Sequence, residues 1–206
     1  MPVFVRVQRF TDNGEHMITV EDMKAFEEEV AARFNAGKIP YPVHLEDGNE
    51  EELLGVFKDI HEDDWVCCSW RSHLKCLLKG VPEDVLMDRI MHGDSMALCF
   101  PEYNIVSSAI VGGILPIAVG IALEIKLRHG SEKVHCFMGD MTFMTGIASE
   151  CLHYGGGLPV HWICEDNGLS VCTPTSETWP SEDMEYDRYS YRSKWPHAGA
   201  GIRVQF

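Results

Sequence analysis

The chain has 206 residues, 45% of them hydrophobic, which is enough for one sizeable domain with a buried core. Its 32 acidic and 17 basic residues give a formal net charge of -15, so neither nucleic acid nor an anionic membrane is expected as a partner. No apolar stretch reaches the length of a transmembrane helix, and the opening MPVFVRVQRF lacks the basic-then-apolar order of a signal peptide. These features predict a cytoplasmic protein.

The cysteines are predicted to be reduced and mostly buried thiols. None of the eight falls in a Cys-x-x-Cys pair, and Cys136 and Cys164 lie inside apolar runs. A disulfide framework or a zinc site is the less favoured alternative.

Apolar residues at helical spacing, separated by prolines and glycines, divide the first half of the chain into short elements. The predicted order is a strand or arm at 1–20, a helix at 20–37, an extended connector at 38–48, a helix at Glu50–Ile60, a core strand within 64–70, and two short helices at 71–80 and 82–93.

The second half begins with a segment, Leu115–Leu127, that is apolar on nearly every side. It predicts a helix buried all round, between a sheet and either another layer of the domain or another subunit. Strands are predicted at Val134–Met138 and Val160–Cys164, with a helix from about Thr142 to Leu152 between them. This βαβ pattern predicts a parallel sheet with a right-handed crossover.

Three regions follow from this order of elements. Residues 1–40 form an N-terminal arm and helix, and residues 41–174 form the α/β domain. From Thr173 onward the sequence is polar and aromatic without a sustained period, so residues 175–206 are predicted to be a loop-rich tail. Such a tail is a candidate lid or interface segment.

Asp140 and Asn167 occupy matching places in the predicted βαβ unit. Asp140 follows its strand by two residues, and Asn167 follows the next strand by three. Open parallel sheets bind ligands beyond the carboxyl ends of their strands, so both side chains are expected in one crevice. The helix predicted near Thr142 points its amino end at the same crevice, which favours an anionic group there.

The same residues match the ligand preference of magnesium, which takes one or two protein oxygens and completes its shell with phosphate and water. Asp140 offers a carboxylate, Asn167 an amide oxygen and Leu169 a backbone carbonyl, which suits magnesium clamping a diphosphate. The alternative is that Asp140 caps the helix and EDNG is an ordinary turn. Spacing alone does not separate the two interpretations.

A resemblance extends this hypothesis. Gly139-Asp140, with Asn167 27 positions after the aspartate, is similar to the thiamine-diphosphate signature that opens with GD and closes with N. SWRSHLKCLLKGVPED, SSAIVGGILPIAVGIALEIK and GLPVHWICEDNGLSVCTP resemble, in order, three further motifs of the alpha subunits of 2-oxo acid and acetoin dehydrogenases. The resemblance spans Trp70 to Pro174. It implies a three-layer α/β/α fold with a mostly parallel sheet, the thiamine-diphosphate-binding fold.

The resemblance also implies a role for individual residues. The magnesium ligands are Asp140, Asn167 and the Leu169 carbonyl. The implied catalytic residues are His73, which matches a histidine facing the active-site cavity, and His197. The implied cofactor-binding residues are Trp70, Arg71, Ile110, Val111, Gly112, Gly139, Asp140, Met141, Thr142, Asn167 and Leu169.

The sequence departs from the family pattern at several of these positions. Met141 stands where the family usually has a second glycine, while Trp70 and Leu169 replace tyrosines. Family members also continue into a histidine-bearing loop over the active site. Residues 186–197 are a candidate substitute for that loop, and His197 is equally compatible with a plain surface position.

The family's division of labour implies a partner. The glutamate that activates the cofactor belongs to a pyrimidine-binding domain, for which this chain has no evident room. The expected partner is therefore a beta-type subunit in an α2β2 assembly. The implied reaction is decarboxylation of a 2-oxo acid with transfer of the acyl or aldehyde unit. The alternatives are a split transketolase-like or acyloin-forming enzyme acting on a sugar or related substrate, and a non-catalytic homologue that only binds the cofactor.

Overall fold

The computed structural model describes residues 18–178 and 186–197, so nearly all of the predicted arm at 1–20 lies outside the described residues. The described helices are α1 (Val20–Asn35), α2 (Glu50–Phe57), α3 (His73–Leu78), α4 (Glu83–Met91), α5 (Ile114–Leu127), α6 (Asp140–Phe143), α7 (Gly146–Gly155) and α8 (Thr175–Thr178). The described strands are β1 (Trp65–Cys68), β2 (Cys99–Phe100), β3 (Ile105–Ser107), β4 (Val134–Gly139), β5 (Val160–Asp166), β6 (Leu169–Ser170), β7 (Thr173–Pro174) and β8 (Asp187–Ser190).

Six of these strands form one sheet in the order β2-β3-β1-β4-β5-β8. All neighbours pair in parallel except β2 and β3. The register places Cys67 of β1 beside Cys136 of β4, which in turn lies beside Trp162 of β5. The predicted parallel pairing of β4 and β5 is confirmed, and β6 and β7 form a separate antiparallel hairpin.

Side chains alternate between two hydrophobic cores, one on each face of this sheet. In β1, Val66 and Cys68 join the core that α1 to α4 cover, whereas Cys67 joins the core beneath α5 and α7. In β4, Phe137 and Met138 divide in the same way. Because helices cover both faces, the chain has the predicted three-layer α/β/α architecture with a mostly parallel sheet.

Helix α5 differs from its prediction, because only one of its faces is buried within the described chain. Ile114, Leu115, Ala118, Ala122 and Ile125 pack on the sheet. The opposite face remains exposed, with Ile117 42%, Leu123 45% and Leu127 72% accessible. The all-round apolar sequence therefore predicts burial that holds for one side of the helix, and residues 18–178 and 186–197 do not cover the other side.

The helix predicted from about Thr142 is two helices. One turn, α6, begins at Asp140, and α7 begins at Gly146 after Thr145 caps it by accepting a hydrogen bond from the Ala148 amide. Threonine is a favoured capping residue, and it restarts the helix at this point. Since α6 is only four residues long, its dipole contributes less at the crevice than a long helix would.

The predicted loop-rich tail contains a strand, which corrects that prediction for residues 187–190. Strand β8 pairs in parallel with β5 and forms one edge of the sheet. It is mostly exposed, and such an edge strand lacks the alternation of apolar and polar residues that marks a half-buried strand. The sheet therefore extends beyond the predicted α/β domain.

The eight cysteines are all free, and six of them are buried, as predicted. Burial raises the pKa of the Cys67 thiol to about 12, so this side chain behaves as a small hydrophobic group. Within the described ranges, no helix is both long enough and apolar enough to cross a membrane.

Candidate functional site

A pocket lies at the carboxyl ends of β1, β4 and β5. This is the edge of the sheet at which the sequence predicts a ligand-binding crevice. Three chain segments supply most of its wall: the turn after β1, the junction of β4 with α6, and the β5–β6 connection. Its lining residues are Ser69, Trp70, Arg71, Val111, Gly139, Asp140, Met141, Thr142, Glu165, Asn167, Leu169, Ser170, Val171, Tyr191 and His197.

The acidic side of the pocket centres on Asp140. Gly139 is the N-cap residue of α6 and Asp140 its first residue, so Asp140 does not cap the helix as the alternative interpretation required. The Thr175 hydroxyl donates a hydrogen bond to Asp140 Oδ2, and the Asp166 carboxyl acts electrostatically on the Asp140 carboxyl. Burial, and then the charge of Asp166, raise the pKa of Asp140.

The pKa of Asp166 shifts in the direction opposite to that of Asp140. Burial favours its neutral form, but the hydrogen bond from Arg188 and the 2.9 Å hydrogen bond from the Gly168 amide outweigh that effect and lower the pKa of Asp166. The pocket residue Asp140 therefore has a second carboxyl group, Asp166, as a neighbour, and Arg188 pairs with Asp166. A further positive charge next to Asp140 would therefore be favourable, because it would stabilise the ionised form of this carboxyl group.

Asn167 sits in a tight turn, so that part of the alternative interpretation is confirmed. Its Oδ1 accepts a hydrogen bond from the Leu169 amide at 3.0 Å, and Gly168 has a left-handed backbone with φ of 70°. The Thr175 amide donates to the Gly168 carbonyl at 3.0 Å, which brings α8 back against the pocket. The turn thus fixes the positions of Asn167 and Leu169 relative to Thr175, which is hydrogen-bonded to Asp140.

The turn after β1 contributes a cation and a hydrogen-bond donor to the pocket, in contrast to the carboxyl groups around Asp140. Arg71 Nε donates to the Leu45 carbonyl at 3.2 Å, and none of the ion pairs among the described residues includes Arg71. The indole N–H of Trp70 is buried and has no hydrogen-bond partner within the described part of the chain. A guanidinium that has no carboxylate partner in the described ranges, together with an unsatisfied indole N–H on a neighbouring lining residue, suits an anion.

His197 reaches the pocket because the last described segment is tied to the connector before α2. The Tyr191 amide donates to the Asp166 carbonyl at 2.9 Å, and the Ser193 hydroxyl and Lys194 amide donate to Asp47 Oδ1 at 2.9 and 3.1 Å. Burial, and then the charge of Arg71, lower the pKa of His197. The structure therefore gives His197 a place in the pocket wall.

Three residues from the predicted site lie outside this pocket. His73, the first residue of α3, is completely buried. Its Nδ1 lies 3.0 Å from a Glu27 oxygen and its Nε2 lies 2.8 Å from the Ser95 hydroxyl. Ile110 is 72% exposed at the pocket's edge, and buried Gly112 adopts φ of 73° in a position where a Cβ would lie 2.5 Å from Ile147. The prediction that His73 faces the active-site cavity is corrected, because both its ring nitrogens are engaged in the core.

A buried charged network lies directly behind the pocket. Lys75 is fully buried and forms ion pairs with Glu46 and, at 2.7 Å, with Glu165. The Tyr189 hydroxyl donates to Glu165, which itself lines the pocket. Burial raises the pKa of Glu46 to about 7, although the charge of Lys75 acts in the opposite direction.

Sequence reasoning did not identify several residues of this site. Asp166 stands beside Asn167 in EDNG, and its position at a strand end is the signal that could have found it. Thr175 has no such signal, since it reaches the site through the β6–β7 turn.

A protein-family model described as "Dehydrogenase E1 component" matches residues 18–188, and the chain belongs to that family. The chain is 30% identical to the alpha subunit of acetoin:2,6-dichlorophenolindophenol oxidoreductase of Bacillus subtilis over 166 residues, which cover 74% of this chain and 50% of the relative. It is 29% identical to the chloroplastic pyruvate dehydrogenase E1 component subunit alpha-3 of Arabidopsis thaliana, over 84% of this chain and 48% of the relative. The chain thus spans about half the length of these curated relatives.

A solved structure from Mycobacterium smegmatis, described as a putative thiamin diphosphate-dependent enzyme, also matches. The sequence identity is 20% and the TM-score is 0.39, over 55% of this chain and 19% of that one.

Proposed function

We propose that this chain is the alpha-type subunit of a thiamine-diphosphate- and magnesium-dependent enzyme that decarboxylates a 2-oxo acid and transfers the acyl or aldehyde unit. One observation carries the proposal: a single pocket at the strand ends combines Asp140 and Asn167 with the cation Arg71. Membership in the Dehydrogenase E1 component family and the alpha-subunit names of the relatives support it.

The donor set at the acidic end fits magnesium. Asp140, Asn167 and the Leu169 carbonyl are the groups that would hold the ion, with the remaining positions left to phosphate and water. No group of three or more His, Cys, Asp or Glu side chains suited to a metal occurs among the described residues, and magnesium does not require one. A divalent cation would also offset the contact between the Asp140 and Asp166 carboxyl groups.

The other end fits a diphosphate. Arg71 offers a charged fork of donors, and Trp70 offers its unsatisfied indole N–H. Gly139 lines the pocket, and no atom lies within 4 Å of the place where a Cβ on this residue would be. Met141, two residues later, lines the pocket with a full side chain. The chain has a net charge of -15, so its overall charge does not attract an anion. The local donors Arg71 and Trp70 are what would bind an anion in this pocket.

When bound, thiamine diphosphate supplies a carbanion that attacks a carbonyl and stores the electrons left by carbon–carbon cleavage. The chain's own contribution is to orient the cofactor through Arg71 and Asp140 and to provide a titratable group beside it. His197 is the proposed catalytic residue, because it lines the pocket and its lowered pKa leaves a neutral ring that can accept a proton. His73 has no direct part in this proposal.

The proposed partner is a beta-type subunit that contributes the activating glutamate, most simply in an α2β2 assembly. Val111 lines the pocket and is 54% exposed, and neighbouring Ile110 is 72% exposed. Together with the uncovered face of α5, they present apolar surface next to the cofactor pocket, of the kind found in the centre of subunit interfaces. The eight free thiols suit a reducing compartment, so a cytoplasmic location is part of the proposal.

A second candidate reaction, on an acyloin in place of a 2-oxo acid, is favoured by the name of the Bacillus relative, which specifies acetoin. Pyruvate and acetoin are therefore the first two substrates to compare.

The test is a turnover assay of this chain with a candidate beta-type partner, thiamine diphosphate and magnesium, using dichlorophenolindophenol as electron acceptor. We expect Asp140→Asn to lower kcat/KM by roughly 100-fold or more, because it removes a fixed charge at the ion. Asp59→Asn, at an exposed position, is the matched control and is expected to change little. An Asp140→Asn enzyme as active as wild type at the same magnesium concentration would refute the proposed site.

A further inference from the structure

We infer that His44 is a positioning residue for His197, holding its ring through a hydrogen bond between the two Nε2 atoms so that Nδ1 faces the reaction. This inference rests on the proposed function for its kinetic consequence, and on the structure alone for the histidine pair. Neither the sequence motifs nor the relatives' names assign any role to His44.

The geometry of the pair is specific. The two Nε2 atoms lie 3.1 Å apart, which is hydrogen-bond distance, and the ring centroids lie 4.4 Å apart at an interplanar angle of 68°. Trp70 packs against both rings, with centroids 6.1 Å from His44 and 6.5 Å from His197. His44 is only 7% exposed, so its ring is held by the protein, whereas His197 is half-buried at the pocket.

Both histidines are held by their chain segments as well as by each other. Asp47 follows His44 in the same connector and accepts hydrogen bonds from Ser193 and the Lys194 amide, just before His197. The carbonyl of Arg192 fills the space beside Gly48, where a Cβ would lie 2.4 Å from it. The connector and the last described segment therefore dock as one unit, and the histidine pair lies at its pocket end.

The hydrogen bond has a consequence for the proton positions. Two neutral imidazoles can share an Nε2 to Nε2 hydrogen bond only if one carries its proton on Nε2 and the other on Nδ1. With Nε2 engaged by His44, the remaining ring nitrogen of His197 is Nδ1, to which the described residues provide no hydrogen-bond partner. If His197 donates through Nε2, Nδ1 accepts a proton from a bound molecule, and if His44 donates, Nδ1 carries a proton to give.

The pair is tested first without cofactor or partner, by ¹⁵N NMR of the imidazole nitrogens in the full chain above the titration of both rings. The expected result is that one of the two rings is the Nδ1–H tautomer, and that His44→Phe changes the tautomer populations of His197. Assignment comes from His44→Gln and His197→Gln. Two Nε2–H rings, or His197 signals unchanged in His44→Phe, would overturn the inference.

The kinetic arm uses the assembled enzyme. His44→Phe is expected to lower kcat roughly 10- to 100-fold, the scale of a misplaced catalytic group, with less than about a threefold change in the KM for thiamine diphosphate. His44→Gln keeps a group that can donate and accept, and is expected to stay within about threefold of wild type. His92→Gln, at the exposed C-cap residue of α4, is the control. Equal losses in the Phe and Gln variants would show a packing role only and overturn the positioning role.

These two arms separate the possible failures. A wild-type chain that shows no turnover with any partner would contradict the proposed function, while the tautomer measurement would still decide whether the pair exists. A wild-type tautomer as expected, with His44→Phe fully active, would contradict the positioning role alone.

Discussion

Individual side chains determine what this pocket can bind. Asp140 and Asn167 were predictable because each follows the end of an apolar strand, and such positions meet at one edge of a parallel sheet. Asp166 and Thr175 complete the arrangement through contacts that depend on the β5–β6 connection and on the position of α8. His73 was misassigned because its motif position does not reveal that Glu27 and Ser95 already engage both ring nitrogens.

Lys75, Glu46 and Glu165 show that some charged side chains serve the core behind the site. Three such groups are buried together, with two carboxylates around one ammonium. Burying ions is costly unless each is paired, and removing one partner from such a group is usually destabilising. The network therefore supports Glu165 in the pocket wall from behind, and Glu46 is the carboxyl whose neutral form burial favours.

The pKa of Glu46, which burial raises, predicts a pH dependence of stability. Its folded-state pKa is about 7 against an ordinary value of 4.5, so the folded chain binds more protons than the unfolded chain between these values. The contribution of Glu46 to stability is complete below about pH 4.5 and is lost as the pH rises to about 7. Glu46→Gln, which is neutral throughout, is expected to remove this loss.

The measurement is the free energy of urea unfolding at several pH values across that window, for wild type and Glu46→Gln. Glu51→Gln, at an exposed position of α2, serves as the control and is expected to follow wild type. Identical pH slopes for Glu46→Gln and wild type would show that Glu46 does not titrate in this way.

At the scale of elements, the predictable ones are those with a strong period or a long apolar run. Helix α1 and strands β4 and β5 belong to this group, and the capping box of Thr19 with Asp22 marks the start of α1. The three-residue strand β3 is too short to show a period, and edge strand β8 exposes most of its side chains. Both are defined by their neighbours in the sheet, which the local sequence does not show.

Strand β8 is nevertheless connected to the sheet at the end opposite the pocket. His161 on β5 contacts Asp187 on β8 at 2.5 Å, and it also contacts His135 on β4, which in turn contacts Asp64 before β1. This row of side chains joins four consecutive segments of the sheet. It therefore holds β8 in place, and β8 leads directly into the segment that contains His197.

The uncovered face of α5 gives a prediction at the same scale. We expect Leu123→Glu to leave the stability of the isolated chain within about 0.5 kcal/mol of wild type, because Leu123 is 45% exposed there. We expect the same change to weaken assembly with the beta-type partner or with a second copy by at least tenfold, because it places a charge in an apolar interface.

The readout for this face is sedimentation velocity of mixtures of the chain with the candidate partner, together with urea unfolding of the chain alone. Lys24→Glu, exposed on α1 on the other side of the sheet, introduces the same residue away from α5 and is the control. Equal assembly by wild type and Leu123→Glu would show that α5 is not part of the interface.

At the scale of the whole molecule, three properties of the chain point to the same function. The sheet presents a pocket whose residues suit the proposed magnesium ion and diphosphate, the chain belongs to the Dehydrogenase E1 component family, and an apolar surface lies next to that pocket. The sequence indicated the architecture and most of the pocket wall because strand ends and motifs lie within single segments. The proposed partner could not be characterised in the same way, since its surface would belong to another chain.

The central claim is that this chain binds the diphosphate end of the cofactor and that a second subunit completes the site. The most direct measurement is calorimetric titration of thiamine diphosphate with magnesium into the folded chain, alone and with its candidate beta-type partner. We expect binding that is strengthened by the partner and abolished by Asp140→Ala. The absence of binding in both settings, with both proteins folded, would contradict it.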